Sequence, residues 1–293
     1  DVERSRGLGD VYKRQVGGLS LGFEEEGFSV LLANEYDESI ANAYMKNHKT
    51  TKMVVGDITS LDLDAVFGTY KNKIDVIIGG PPCQGFSQKG QRKTIYDKRN
   101  FLFEYYVKVV ELVKPKYFVM ENVPNLLTAE KGYFFNEIET LFNAMGYFLQ
   151  HGVLNAADFG VPQNRKRAVI IGKMNGVAPS LPSSLNEKVT IWDAISDLAF
   201  LESGEGDEVQ EYRYAPQSEY EKKLRGHANL LYNHKATKHS PLSLKRLRMI
   251  PPNAGKEVLP KEHLTKSIYS GTWTRMKKDD ISVTITTRFD TPS

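Results

Sequence analysis

The stretch Asp75-Val76-Ile77-Ile78-Gly79-Gly80-Pro81-Pro82-Cys83-Gln84-Gly85-Phe86-Ser87 decides the fold. Residues 74–78 form a short, β-branched apolar run closed by turn residues, which predicts a buried strand. The two glycines and two prolines that follow fix the backbone and let a ligand approach closely. Cys83, the single cysteine of the chain, then lies just past the carboxyl end of the strand, the edge at which open α/β sheets bind ligands. A lone cysteine is ordinarily a small buried hydrophobe. Placement in a rigid Gly-Gly-Pro-Pro loop beside Gln84 and Ser87 predicts a reactive thiol instead.

A second run, residues 117–120, leads directly into Glu121-Asn122-Val123-Pro124, so a thiol and a carboxyl group at the ends of neighbouring strands can face one pocket. Further on, Gln163-Asn164-Arg165-Lys166-Arg167 carries two arginines into another predicted strand, where they can make charge-assisted hydrogen bonds to a phosphate and a base oxygen. Pro82-Cys83-Gln84, Glu121-Asn122-Val123 and Gln163-Asn164-Arg165-Lys166-Arg167, in this order, resemble the motif set of the DNA (cytosine-5) methyltransferases. The resemblance is close over residues 16–174 and loose beyond them.

That resemblance implies an α/β fold with a doubly wound, mostly parallel sheet of the S-adenosylmethionine-dependent (Rossmann-like) type and a smaller target-recognition domain. It implies Cys83 as the nucleophile, Glu121 as the acid with Asn122 holding it, Arg167 near O2 of a flipped cytosine and Arg165 on the DNA backbone. For the methyl donor, S-adenosylmethionine, it implies a pocket of Gly17, Gly18, Glu35, Tyr36, Asp57, Ile58, Gly80, Pro82 and Leu102. Glu35 matches the ribose ligand, Asp57 the acceptor of the adenine amino group and Ile58 an apolar contact. Two of these also follow from placement. An acid at the tip of the second strand of such a sheet can accept hydrogen bonds from ribose hydroxyls, and Tyr36 beside it offers an aromatic face.

A chain of 293 residues, 40% of them hydrophobic, suffices for one large α/β domain and a smaller one. No apolar run approaches the ~20 residues of a membrane span, and no secretory signal opens the chain, so a soluble cytoplasmic protein is expected. One cysteine excludes an internal disulfide and cysteine-rich zinc sites, and no metal is expected. The net charge of +3 conceals an asymmetry: residues 222–278 hold 14 lysines and arginines against Glu257 and Glu262, leaving 25 basic against 34 acidic residues elsewhere. Such a segment reads as a polyanion-binding face. The expected partner is double-stranded DNA, bound by a monomer, with a cognate restriction endonuclease as a further partner.

In chain order, the pattern predicts a helix from Leu19 stopped at Gly27, a strand over 28–33 with Glu35 at its end, a helix over 38–46 and a strand over 53–55. A polar loop over 88–100, with Lys89, Arg92, Lys93, Lys98 and Arg99, reads as a lid over DNA. Helices over 101–113 and 133–145 and strands over 147–154 and 168–173 complete a catalytic domain of residues 16–175. Residues 176–293 read as the target-recognition region, truncated before the C-terminal motifs of the family. Within it, 190–198 and 240–250 read as helices, the latter capped by Ser240 with Pro241 at its first position, and 202–217 as acidic and irregular. Residues 1–15 mix charges and glycines without alternation and read as a non-native leader outside the fold. Two other functional readings share these motifs: an RNA (tRNA) cytosine-5 methyltransferase on the same fold, and an inactive DNA-binding fragment.

Overall fold

Parallel strands flanked on both faces by helices dominate the computed structural model, which describes residues 6–11, 17–81, 101–177, 179–185, 187–264 and 273–285. The strands are β1 (Arg6–Val11), β2 (Phe28–Glu35), β3 (Lys52–Val55), β4 (Val76–Gly79), β5 (Tyr117–Asn122), β6 (Tyr147–Asn155) and β7 (Lys166–Met174). They form one seven-stranded sheet in the order β3-β2-β1-β4-β5-β7-β6, in which β1 to β5 pair in parallel and β7 runs antiparallel to β5. The sheet is thus mixed at one edge only, in agreement with the expected doubly wound class.

The expectation that residues 1–15 stand outside the fold is corrected here, because Arg6–Val11 pairs with β2 on one side and β4 on the other. Its composition hid it: glycines contribute little strand propensity, and ladder bonds on both sides supply what the side chains do not. The other strands are self-evident in sequence. All four residues of β4 are buried, as near-continuous apolar strands of parallel sheets must be.

Helices α1 (Gly18–Glu25), α2 (Glu38–Asn47), α3 (Leu63–Phe67), α4 (Phe101–Val113), α5 (Asn125–Thr128) and α6 (Tyr133–Ala144) connect these strands. Asp37 and Asp62 cap α2 and α3, accepting from the N–H groups of Ile40 and Ala65 at 3.0 and 3.1 Å. On one sheet face Ile77, Phe118, Met120 and Ile170 pack with Tyr106, Val109 and Val113 of α4 and Ile138 and Phe142 of α6. On the other, Val30, Val76 and Ile78 meet Leu19 and Phe23 of α1. Phe118 stacks on Phe142 at 4.1 Å between centroids. Its ring also lies against Gly172, its partner in the β5–β7 ladder, where a Cβ would collide with the ring.

The chain divides into two compact units, residues 1–154 with 166–183, and residues 155–165 with 184–293. The expected single boundary at 175/176 therefore moves, and residues 155–165 join the second unit. Hydrogen bonds account for this: Asn164 N–H donates to Ser282 O at 2.8 Å, Ser282 N–H to Pro162 O at 3.0 Å and Leu185 N–H to Asp158 O at 2.7 Å. None of these partners is near in sequence.

The second unit contains α7 (Ile191–Ile195), β8 (Gly206–Glu211), α8 (Glu219–Arg225), β9 (Leu230–Lys235) and α9 (Pro241–Met249), with β8 and β9 antiparallel. Strand β8 falls within the stretch expected to be irregular. Its acids hid it, since only pairing with β9 holds Gly-Asp-Glu-Val-Gln-Glu extended. Ser240 caps α9 by accepting from Ser243 N–H at 3.1 Å, as its sequence predicts. Buried Glu221 ties α8 to the end of α7: it accepts from Ser196 Oγ at 2.6 Å and Asp197 N–H at 3.1 Å. Burial and the adjacent Glu221 charge push the Asp197 carboxyl up.

Two glycines should respond oppositely to a methyl group. Gly172→Ala forces Phe118 or the β5–β7 pair to move and should lower stability by about 1–3 kcal/mol. Gly22→Ala, inside α1 where a Cβ meets nothing within 4 Å, should be neutral or stabilising by up to about 1 kcal/mol. Denaturant unfolding of both variants checks the pair, and an unchanged Gly172→Ala midpoint would contradict the packing described.

Candidate active site

Successive residues of a strand point to opposite faces, and the last two of β5 illustrate the consequence. Asn122 is buried while Glu121 beside it is half-buried. The Asn122 side chain donates from Nδ2 to Pro81 O at 2.8 Å and accepts from Val123 N–H through Oδ1 at 2.9 Å. It therefore fastens the end of β5 to the residue at which the loop bearing Cys83 departs. Glu121 Oε1 lies 2.6 Å from Arg167 Nε, and Arg167 Nη1 donates to Lys166 O at 2.8 Å. Arg167 stands near the start of β7, whose ladder pairs Asn122 with Ala168, so the antiparallel return of β7 brings the guanidinium to the carboxylate. A Cβ on Gly80 would lie 3.2 Å from Glu121 Oε2. The glycine thus leaves room for the carboxylate against the main chain of the loop.

The structure brings together Gly80, Glu121, Asn122 and Arg167 of the expected residues. Cys83 and Pro82 lie outside the described residues, as does the expected lid over 88–100. Arg165 falls in the second unit, its N–H donating to Asn155 Oδ1 at 2.9 Å.

At the carboxyl ends of β2 and β3, the expected donor residues fall into distinct environments. Glu35 is the last residue of β2, within the strand rather than after it, and is 1% exposed. Its Oε1 accepts from the N–H groups of Tyr36 and Asp37 at 2.9 and 3.2 Å, while the Tyr36 ring is exposed. Asp57 accepts from Thr59 N–H at 3.0 Å, in the turn that follows β3. Ile58, expected as an apolar contact, is wholly buried in the core and presents no open surface. Leu102 is partly buried against the same core.

Gly17 precedes α1 with φ +89°, a conformation that favours glycine. A Cβ there would collide with His48 Nε2 and lie 2.8 Å from Tyr44 Cε2. His48 is buried, its Nδ1 2.7 Å from Glu24 Oε2 and its ring stacked on Tyr44 at 4.2 Å, while Tyr44 donates to Ser20 Oγ at 2.9 Å. This polar cluster beneath the first turn was missed by sequence reasoning; a Tyr and a His at helical spacing give no sign of which glycine they will touch. Gly18 opens α1 and a Cβ there meets nothing within 4 Å. The space beside Gly17 is thus taken by the protein's own His48 and Tyr44, while Glu35, Asp57 and the exposed Tyr36 stand at the ends of β2 and β3.

The basic segment of the second unit is less free than its composition. Lys222 pairs with Glu219 at 2.5 Å and Lys235 with Glu208 at 3.7 Å. Arg225 lies 3.5 Å from the centre of the Tyr212 ring and donates to Tyr214 O at 2.9 Å, which gives it a structural task. Lys223, Lys238, Lys245 and Lys261 are exposed.

The sequence model of the C-5 cytosine-specific DNA methylases matches residues 15–288. The Type II methyltransferase M.DdeI of Desulfomicrobium norvegicum is 37% identical over 257 residues, covering 84% of this chain and 61% of that protein. The Type II methyltransferase M.XorII of Xanthomonas oryzae is 38% identical over 261 residues, covering 81% of this chain and 61% of that protein. The chain thus spans about three fifths of the length of these curated relatives. A crystal structure of a DNA modification methyltransferase encoded within an E. coli prophage matches with a TM-score of 0.72 over 95% of this chain and 82% of that one, at 24% identity, a likeness of fold. Ordered motifs, sheet topology and relatives of this similarity agree, and the chain belongs to the C-5 cytosine-specific DNA methylase family.

Proposed function

We propose that the protein methylates carbon 5 of cytosine in duplex DNA, with S-adenosylmethionine as donor and a covalent bond from Cys83 to carbon 6 of the base. The observation that carries this reading is the junction of Pro81, Glu121, Asn122 and Arg167, which ties the root of the Cys83 loop to an acid and a guanidinium. Carbon 5 is a poor nucleophile in an electron-deficient ring. Attack of the Cys83 thiolate on carbon 6 moves the electron pair toward N3 and carbon 5, and Glu121 donates the proton that N3 takes up. Arg167 holds the Glu121 carboxyl and reaches the base O2. Carbon 5, now enamine-like, would take the methyl group as its bond to the sulfonium sulfur breaks, leaving the neutral thioether S-adenosylhomocysteine. The carbon 5 proton then passes to water, the carbon 6–sulfur bond breaks with its electron pair returning to the Cys83 thiolate, and N3 gives its proton back to Glu121, which restores the aromatic ring. The target base must leave the stack for this chemistry, at a cost of a few kcal/mol.

S-adenosylmethionine, when bound, supplies a methyl group on a sulfonium centre. Glu35 would accept from its ribose hydroxyls, Asp57 from the adenine amino group, with Tyr36 against the purine and Gly17, Gly18, Gly80, Pro82 and Leu102 around the remainder. Arg165 contacts the DNA backbone and the second unit recognises the target. Among the described residues no helix is long and apolar enough to cross a membrane. The same reading has a monomer acting in the cytoplasm beside a cognate restriction endonuclease, the last supported by relatives named as Type II methyltransferases.

Cys83→Ala should abolish methyl incorporation while leaving duplex binding within a few fold, measured by filter binding beside a radiolabel assay; turnover by this variant would remove Cys83 from the mechanism. Glu121→Gln, which keeps the side-chain shape, should lower kcat by roughly 10²- to 10⁴-fold. Offering duplex DNA and tRNA to the same preparation separates the DNA from the RNA activity. Replacing Lys223, Lys238, Lys245 and Lys261 together should flatten the dependence of log affinity on log salt, the slope falling in magnitude by about 0.9 for each phosphate that is no longer neutralised. An unchanged slope would assign these lysines to solubility alone.

A further inference from the structure

Asn34 is wholly buried one residue before Glu35, where the pairing between β2 and β3 comes to its end. Its Nδ2 donates both hydrogens, to Val54 O at 2.9 Å and to Gly56 O at 3.0 Å. Two carbonyl oxygens can face only the NH₂ side of an amide, which fixes the orientation of the group. Gly56 is also held from its other end, because its N–H donates to Glu35 O at 2.9 Å. The φ of +153° at Gly56 is one that L side chains rarely adopt, so the chain turns sharply at the residue that Asn34 and Glu35 grip together. Asp57 follows immediately.

We infer that Asn34 is a positioning residue for the adenosine of the methyl donor: its amide clamps the turn after β3 to the end of β2 and so fixes Asp57 relative to Glu35. The inference rests on the donor site proposed above. Asn34 Oδ1 is buried without a partner among the described residues, and an unpaired buried acceptor is unfavourable. An apolar side chain like those of its neighbours Leu32 and Ala33 would avoid that loss. What the amide adds is the pair of bonds to Val54 and Gly56, carried past the end of the ladder to the main chain that presents Asp57. Glu35 and Asp57 approach opposite ends of an adenosine, the ribose and the purine amino group. A shift of one acid relative to the other therefore weakens binding of the whole while leaving the cytosine chemistry at β4, β5 and β7 untouched.

The test uses Asn34→Asp, which keeps the shape but turns an acceptor toward two carbonyls, and Asn34→Leu, which deletes both bonds without adding charge. Isothermal titration with S-adenosylhomocysteine, and with its analogue lacking the adenine amino group, is run beside thermal unfolding and methylation kinetics in which donor and DNA are varied separately. Both variants should bind S-adenosylhomocysteine about 10-fold more weakly, the loss expected when the single hydrogen bond from the adenine amino group to Asp57 no longer forms. KM for DNA and kcat at saturating donor should stay within about twofold. Removing the adenine amino group should weaken binding to the unmodified protein severalfold and to the variants hardly further, because their Asp57 is already displaced. Unchanged affinity in both variants overturns the inference. So does weakened affinity with undiminished discrimination against the analogue, or failure of both variants to fold at about 25 °C, since each marks a role in stability alone. An unmodified protein that binds neither compound overturns the donor site itself and the inference with it.

Discussion

A parallel strand ends with main-chain groups that its neighbours have stopped pairing, and these must be satisfied if the edge is to be buried and still hold a ligand. Two buried asparagines meet that constraint in this chain. Asn34 bonds the carbonyls of Val54, within β3, and of Gly56, just beyond it, and Asn122 bonds the carbonyl of Pro81 beyond β4. Each is adjacent in sequence to an acid for which a functional role is proposed, Glu35 after the first and Glu121 before the second. The side-chain amide suits the task because one group both donates to a stranded carbonyl and keeps its strand neutral. The order of these ends is the foundation on which the remaining contacts of the first unit are built.

The two acids nonetheless serve under different conditions. Glu35 is almost fully enclosed and takes backbone N–H bonds from Tyr36 and Asp37, an arrangement that holds its side chain still. Glu121 is more open and meets the guanidinium of Arg167. The role proposed for Glu35, accepting from ribose hydroxyls, benefits from rigidity, whereas the role proposed for Glu121, exchanging a proton with a base, needs room and a partner that orients it. The division proposed between binding and proton transfer thus matches the burial, and the burial follows from position. Glu35 ends a strand covered by its neighbours, and Glu121 is the last residue but one of a strand paired on its far side with the antiparallel β7.

Much of this was legible in the sequence because it sits where periodicity changes. Apolar runs ending in Gly-Gly-Pro-Pro, Glu-Asn-Val-Pro and Gly-Asp-Ile announce strand ends and the residues presented there, and the helices over 38–47, 101–113 and 133–144 follow from apolar spacing. What escaped is what depends on partners far along the chain. Strand β1 has too little apolar character to be read without β2 and β4 beside it, and β8 is acidic until β9 pairs with it. Residues 155–165 look continuous with the strands around them, and bonds to Leu185, Ser282 and Thr284 assign them to the second unit. His48 escaped for the same reason: its contact with Gly17 is a matter of packing, not pattern.

Charge in the second unit carries the same distinction between composition and placement. Fourteen basic residues in a window of the sequence suggest a uniform cationic face, yet each lysine paired with a nearby acid contributes little field at a distance, since the pair is close to neutral beyond a screening length of about 8–10 Å. Arg225 is further committed to Tyr212, the Tyr214 carbonyl and the neighbourhood of Asp197. Removing it would expose a buried acid pair rather than a phosphate contact. Among the described residues, the exposed Lys223, Lys238, Lys245 and Lys261 stand open to a polyanion, whereas Arg225 belongs to the core that keeps α7 and α8 together.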